Sequence, residues 1–248
     1  MELNSTHLIN YSIYNKGGQT FTCFEQSGTY YAFKSGPIAM FNAVLNAALC
    51  VEFTYLKGYM YKYTVKTSKL TQAGNQRFMY VSTTTTLTAS LVCDDTSNTD
   101  FHLMVDSSAA VSSLTIACPT PFLGVFSYVS NITTGGECNG TGSLNVCTDS
   151  SKMSFNYTAC SKVQAYSAGG KLNCIYSTSS GSSTKVVMYN LDSTTDESST
   201  YRFMCYVVES SSDRNIYATQ YPKNCYSGQT STSVSRPGGS VVFTASCK

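Results

Sequence analysis

Alternation of apolar and polar residues with a period of two runs through most of this chain, and it constrains the fold more than any other feature. It is carried by TYYAF (29–33), VEFTYL (51–56), YMYKYTV (59–65), RFMYVST (77–83), LTASLVC (87–93), FHLMVD (101–106) and SSLTIAC (112–118). It returns in GVFSYVS (124–130), KMSFNYTAC (152–160), KLNCIYS (171–177), KVVMYNL (185–191), YRFMCYVVE (201–209), NIYATQY (215–221) and SVVFTAS (240–246). Successive side chains of a strand point to opposite faces, so such text describes strands with one buried and one solvated face. Clusters of Gly, Asn, Asp and Ser separate the stretches, as hairpins require. The expected fold is all-β and antiparallel. One segment departs from the pattern. PIAMFNAVLNAALC (37–50) has apolar residues at 40, 41, 44, 45, 48 and 49, which is helical spacing, and Pro37 suits a first turn. A short helix is expected near 38–49.

Near-copies of one strand, RFMYV (77–81) and RFMCYV (202–207), lie about half the chain apart. Each arginine follows a cysteine, Cys50 or Cys174, at a similar distance. Further upstream, Cys23 precedes Gly28-Thr29-Tyr30 and Cys118 precedes Gly124-Val125-Phe126. The repeated order predicts two tandem related β units with a boundary near 110–117. They are an N-terminal β domain over 1–115 and a C-terminal cysteine-rich β domain over 116–248.

Eleven cysteines accompany only two histidines and no C-x-x-C pair. That usage points to disulfides in an oxidising compartment, with no metal or other cofactor expected. Cys23, Cys50 and Cys93 fall in the first unit; Cys118, Cys138, Cys147, Cys160, Cys174, Cys205, Cys225 and Cys247 fall in the second. All are candidates for disulfides, and the even set fits four bridges within the second domain. Cys138 and Cys147 are close enough in sequence to staple one loop. The remaining pairing is open, and the odd thiol of the first unit is buried and inert, bridged across the units, or joined to another chain. Sequons at Asn4, Asn10, Asn131, Asn139 and Asn156 agree with export and glycosylation. Charged residues make up only 12% of the chain, about half the usual share, and net charge is +2. No basic stripe for nucleic acid is present, and no apolar run has the length that spans a membrane. Residues 1–20 lack the apolar core of a signal peptide, so a mature or trimmed chain is expected. The expected localisation is secreted and extracellular, without nucleic-acid binding or membrane insertion.

Gly28-Thr29-Tyr30 and Gly124-Val125-Phe126 resemble the Gly-x-Trp that opens the first strand of lipocalins, with Tyr and Phe in the place of Trp. The resemblance implies a barrel or barrel halves, with Arg77 and Arg202 as cation–π lids at the barrel bottom. Residues 118–247 are also similar to an uncharacterised cysteine-rich extracellular domain of invertebrate proteins. The likeness rests on Cys118-Pro119, Gly124-x-Phe126, Cys138, Cys147-Thr148-Asp149, Phe155-x-Tyr157-x-Ala159-Cys160, Cys174, Tyr201-Arg202-Phe203-x-Cys205 and Cys225. SGTYYAFKSGPI, within 23–50, resembles the companion N-terminal domain of that family. These resemblances imply an architecture and a compartment, not an activity.

The chain carries 19 tyrosines and no tryptophan. Tyr59, Tyr61 and Tyr63 share one strand face, where they either form core or line a cavity for an aromatic ligand. The ligand-binding set expected from the sequence is Tyr30, Tyr59, Tyr61, Tyr63 and Arg77, with Phe126, Tyr189, Arg202 and Tyr206 from the second unit. No G-x-S-x-G, P-loop or H-E-x-x-H motif occurs. Asp94 and Asp95 offer a carboxylate pair or, more simply, a solvated turn. His102 is the first place to seek a general base, and its bland reading is a half-buried structural histidine. Three functions follow, in order of preference. The first is a secreted β-barrel protein that binds a small hydrophobic or aromatic molecule in a tyrosine-rich cavity. The second is a cofactor-free, oxygen-dependent oxidase of the secreted luciferase type. The third is a structural extracellular module that self-associates, through a disulfide or non-covalently.

Overall fold

The computed structural model describes residues 2–4, 6–132, 136–156, 167, 169–210 and 215–247, with the side chains of 132, 136–141, 210 and 247 left aside. The fold is all-β and antiparallel, as the alternation requires. It divides into two compact units. One comprises Met1–Lys57 and Tyr61–Met104; the other comprises Gly58–Met60 and Val105–Lys248.

The first unit is an open sheet curled into a half barrel. Its strands are β1 (Glu2–Leu3), β2 (His7–Ile13), β3 (Gly17–Ser27), β4 (Tyr30–Met40), β5 (Ala43–Lys57), β6 (Met60–Val65), β7 (Lys69–Leu70), β8 (Gln76–Arg77), β9 (Met79–Ser82) and β10 (Phe101–Val105). The order is β1-β2-β3-β4-β5-β6-β10, with β9 paired to the first half of β5 and β7–β8 forming a separate ribbon. Leu8, Phe21, Phe33, Leu49, Val51 and Phe78 fill the core face.

The helix expected at 38–49 does not form. Phe41 and Asn42, with φ of 52° and 58°, make the two-residue turn of a β4–β5 hairpin in which Met40 pairs with Ala43. Turns with two left-handed residues match the twist of the flanking strands. The misleading pattern has a physical source. Asn46–Val51 is buried on both faces. Ala47, Leu49 and Val51 meet the main core, while Ala48 and Cys50 meet Val92 on the opposite face. A strand covered on both sides shows a continuous apolar run and loses its period of two. The converse error occurs at LTASLVC and SSLTIAC. These hold one-turn helices, α1 (Ala89–Val92) and α2 (Val111–Leu114), too short to display a helical period. Thr88 caps α1 by accepting from the Leu91 amide at 3.3 Å.

The second unit is a closed barrel. Its strands are β11 (Val125–Ile132), β12 (Gly136–Asn145), β13 (Lys152–Asn156), β14 (Lys171–Ser180), β15 (Ser183–Asn190), β16 (Phe203–Ser210), β17 (Asn215–Pro222) and, after the two-residue β18 (Asn224–Cys225), β19 (Gly239–Cys247). Neighbours in sequence are neighbours in the barrel, and β19 closes it by pairing with both β17 and β11. Eight strands enclose just enough space for side chains, and side chains fill it. Phe126, Tyr128, Phe155, Tyr206 and Phe243 meet inside in edge-on and tilted contacts, joined by Phe122 from a 3-10 turn at Thr120–Phe122. Gly142 is needed here, since a Cβ on it would lie 2.3 Å from the Tyr128 ring. The Tyr206 hydroxyl, fully enclosed, donates to Gln220 Oε1 at 2.7 Å.

Three disulfides are formed among the described residues: Cys50–Cys93, Cys118–Cys174 and Cys205–Cys225. Each closes within one unit. The inclusion of Cys23 and Cys147 in the disulfide set is corrected: both are free thiols. Cys23 faces a cavity, and the loop at Cys147 is fixed instead by its amide donating to Asn145 Oδ1 at 2.9 Å. The expected Cys138–Cys147 staple is therefore absent, and with Cys147 free the second unit does not complete four internal bridges. Cys160 and the side chains of Cys138 and Cys247 lie outside the described set. No helix of the described residues is long and apolar enough to cross a membrane.

Buried phenols give the fold an alkaline limit. Burial pushes Tyr11 up to about 12, a rise the Arg77 guanidinium partly opposes. Burial, and secondarily the nearby Tyr128 hydroxyl, pushes Tyr206 up further. A phenol with a raised folded value stabilises fully below its ordinary value near 10 and loses that contribution as pH climbs through the folded value. Stability is expected to fall above pH ~10. Titration of tyrosinate absorbance should show the last phenols ionising together with loss of the circular-dichroism signal. Full ionisation while the chain stays folded would contradict this burial.

Candidate functional site

A cavity of about 440 Å³ opens on the core face of the first unit. Leu3, Asn4, Thr6, Cys23, Gln26, Tyr31, Phe33, Phe53 and Tyr61 line it. Its construction follows from register. Tyr31 and Phe33 lie two apart on β4 and share the core face with Phe53 of β5. Cys23 and Gln26 are an odd number of residues apart on β3, so a regular strand would send them to opposite faces. The β-bulge between Cys23 and Glu25 inserts one residue, and Cys23 then pairs with Phe33 while Gln26 pairs with Tyr31. Both reach the cavity. Gly28, with φ of 61°, makes the β3–β4 turn that sets this pairing.

Phe33 forms the buried floor; Tyr31, Phe53 and Cys23 are half-buried walls; Leu3, Asn4, Gln26 and Tyr61 form the exposed rim. The Tyr31 and Phe53 rings meet edge-on at 5.5 Å. Burial raises the Cys23 thiol, whose sulfur lies 3.7 Å from the Glu25 carbonyl oxygen as a donor to it. Among the described residues no charged side chain lines the cavity. The same register sends Glu25 and Glu52 to the opposite face. There Glu25 Oε2 accepts from the Ala89 amide at 2.6 Å, at the start of α1, and Glu52 pairs with Lys66 at 3.2 Å.

The acidic loop after Cys93 is not an open cation site. The Lys66 ammonium, buried, donates to the carbonyls of Thr96 and Asn98 at 3.0 and 2.8 Å. Asp94 accepts from the Ser68 amide at 2.7 Å, and Asp95 pairs with Arg77 at 2.7 Å. The Arg77 bond holds the Asp95 carboxyl below its ordinary value. The loop's oxygens are thus engaged by the protein's own cations and by the Ser68 amide. Among the described residues no group of three or more His, Cys, Asp or Glu side chains could hold a metal ion.

The structure distributes the expected ligand-binding residues. Tyr61 lines the cavity and stacks edge-on with Tyr55. Tyr59 is exposed. Tyr63 packs on the core and stacks against His102 at 4.9 Å, so His102 sits outside the cavity lining. Tyr30 packs on the opposite face beside Cys50 and Val92. Arg77 is committed to Asp95 and the Thr67 carbonyl. In the second unit, Phe126 and Tyr206 are part of the filled interior. Arg202 does make a cation–π contact, 5.4 Å over the Tyr189 ring, and donates to the Asn190 carbonyl. Cys23, Gln26, Tyr31, Phe33 and Phe53 were missed. Tyr31 and Phe33 were visible as alternate residues of TYYAF; the bulge that adds Cys23 and Gln26 leaves no periodic signal.

Fold and site together define a disulfide-bonded antiparallel β protein that pairs a filled eight-stranded barrel with a half-barrel sheet bearing an uncharged aromatic cavity. Residues 116–238 match the model of a family described as a domain of unknown function, DUF7042. That match takes in every barrel strand except the closing β19 and ends before it; the cavity lies outside it. Comparison with curated proteins and with solved structures found no match. Three disulfides fit a secreted or extracellular protein.

Proposed function

We propose that this chain is a secreted protein that holds a small hydrophobic or aromatic molecule in the cavity of its first unit. One observation carries the reading: a cavity of about 440 Å³ walled by Tyr31, Phe33, Phe53 and Tyr61, with no charged side chain lining it among the described residues. Ligand sites are mostly apolar, with a few placed polar groups, and of this size. Cys23, Gln26 and the Tyr31 hydroxyl are those polar groups. Secretion and glycosylation belong to the same reading. The disulfides support the compartment, and Asn4, Asn10, Asn131 and Asn156 are exposed for sugar attachment; Asn139 lies outside the described side chains. The barrel of the second unit acts as a stable module rather than a container, because its own rings occupy the interior.

Native against denaturing mass spectrometry of the protein secreted from eukaryotic cells tests this. A discrete mass of small-molecule size, lost on denaturation, is the expected result. A chain that stays empty when purified, and also after incubation with a panel of neutral aromatic compounds, would overturn the reading.

A further inference from the structure

The polar edge of the cavity selects among aromatic ligands. Gln26 Nε2 donates to the Tyr31 hydroxyl oxygen at 2.9 Å and to the Gly28 carbonyl at 3.3 Å. Both amide hydrogens are thereby engaged, which leaves Gln26 Oε1 as an acceptor. The Tyr31 hydroxyl accepts from Gln26 and keeps its own hydrogen to donate, with no protein acceptor for it among the described residues. Turning the amide over would exchange the roles but still leave one donor and one acceptor side by side. Tyr31 and Gln26 are directly opposed across the β3–β4 pair, so this edge is held by strand register rather than by a free loop.

Resting on the reading above, we propose that the cavity's ligand is an uncharged aromatic molecule bearing a hydroxyl group. Its ring system sits against Phe33, Phe53 and Tyr31, and its hydroxyl lies at the rim between Gln26 Oε1 and the Tyr31 O–H. A hydroxyl donates and accepts through one atom, which suits this pair. A carboxylate only accepts, and among the described residues no lysine, arginine or histidine lines the cavity to meet its charge. Placing such an ion against Phe33 and Phe53 would cost solvation without return.

Equilibrium dialysis of the full chain with naphthalene, 2-naphthol and 2-naphthoate tests the proposal. The expected order is 2-naphthol tightest, by about five- to tenfold over naphthalene, the worth of one or two net hydrogen bonds, with 2-naphthoate weakest. In the double variant Gln26→Met with Tyr31→Phe the ratio of 2-naphthol to naphthalene affinity, measured on that same variant, should fall to about one. Naphthalene binding with no gain for 2-naphthol, or a gain that survives the double variant, would overturn the hydroxyl selection alone. Failure of all three compounds to bind would overturn the binding reading together with it.

Discussion

Replacing Phe243 with alanine will destabilise the barrel by about 3–5 kcal/mol, the usual range for removing a fully buried phenyl ring. Phe243 lies on the closing strand β19 with no exposure. Its ring meets Phe122 at 5.8 Å, Phe126 and Tyr128 at 6.1 Å and Phe155 at 6.4 Å. These neighbours come from three separate segments, so no one of them can move into the gap without losing its own contacts. The cavity cost therefore adds to the lost burial. Urea unfolding followed by far-ultraviolet circular dichroism measures the effect, with Thr244→Ala on the exposed face as the control. A loss below about 1 kcal/mol would mean that the interior has slack. The barrel would then become a rival to the cavity as a ligand site.

The second large effect concerns Cys118–Cys174. Changing both to alanine should cost about 4 kcal/mol, the chain-entropy value for its loop; the two residues are 56 apart in sequence. The bridge ties the segment that carries Phe122 to β14. That segment is also held by Ile116 donating to the Cys174 carbonyl at 2.8 Å and Cys118 donating to the Ser150 carbonyl at 2.7 Å. With those hydrogen bonds in place the double variant should fold, at a lower urea midpoint. Unfolding at the parent midpoint would show that the backbone contacts alone fix the segment.

Burial on one face made most of this fold legible. KMSFN became β13, because its inward residues, Met153 and Phe155, alternate with outward ones. Where burial is two-sided, as at Ala47–Val51, the period vanishes and the chain imitates a helix. The repeated Arg-Phe-Met text gave two β units, but the two copies enter different roles. Arg77 lies in the short β8 and is followed by β9, paired to part of β5, whereas Arg202 leads into β16, a strand with barrel neighbours on both sides. The disulfides follow suit. Cys50 bonds forward to Cys93, and Cys174 bonds back to Cys118. Pairing depends on where distant strands come together, which local sequence does not encode. The site shows the same limit. Tyrosine abundance pointed to an aromatic cavity and to Tyr61, but the strand register that gathers Cys23, Gln26 and Tyr31 is a tertiary fact set by one bulge.

Uptake of N-phenyl-1-naphthylamine tests the central claim most directly. The dye fluoresces in apolar cavities, and the absence of tryptophan keeps its signal clean. The intact chain should take up the dye saturably at a single site. Cys23→Phe places a ring where the half-buried thiol now lines the cavity, and it should weaken uptake at least tenfold, about 1.4 kcal/mol, with circular dichroism unchanged. No saturable uptake by the parent, or equal uptake by the folded Cys23→Phe variant, would contradict a ligand site in the first unit.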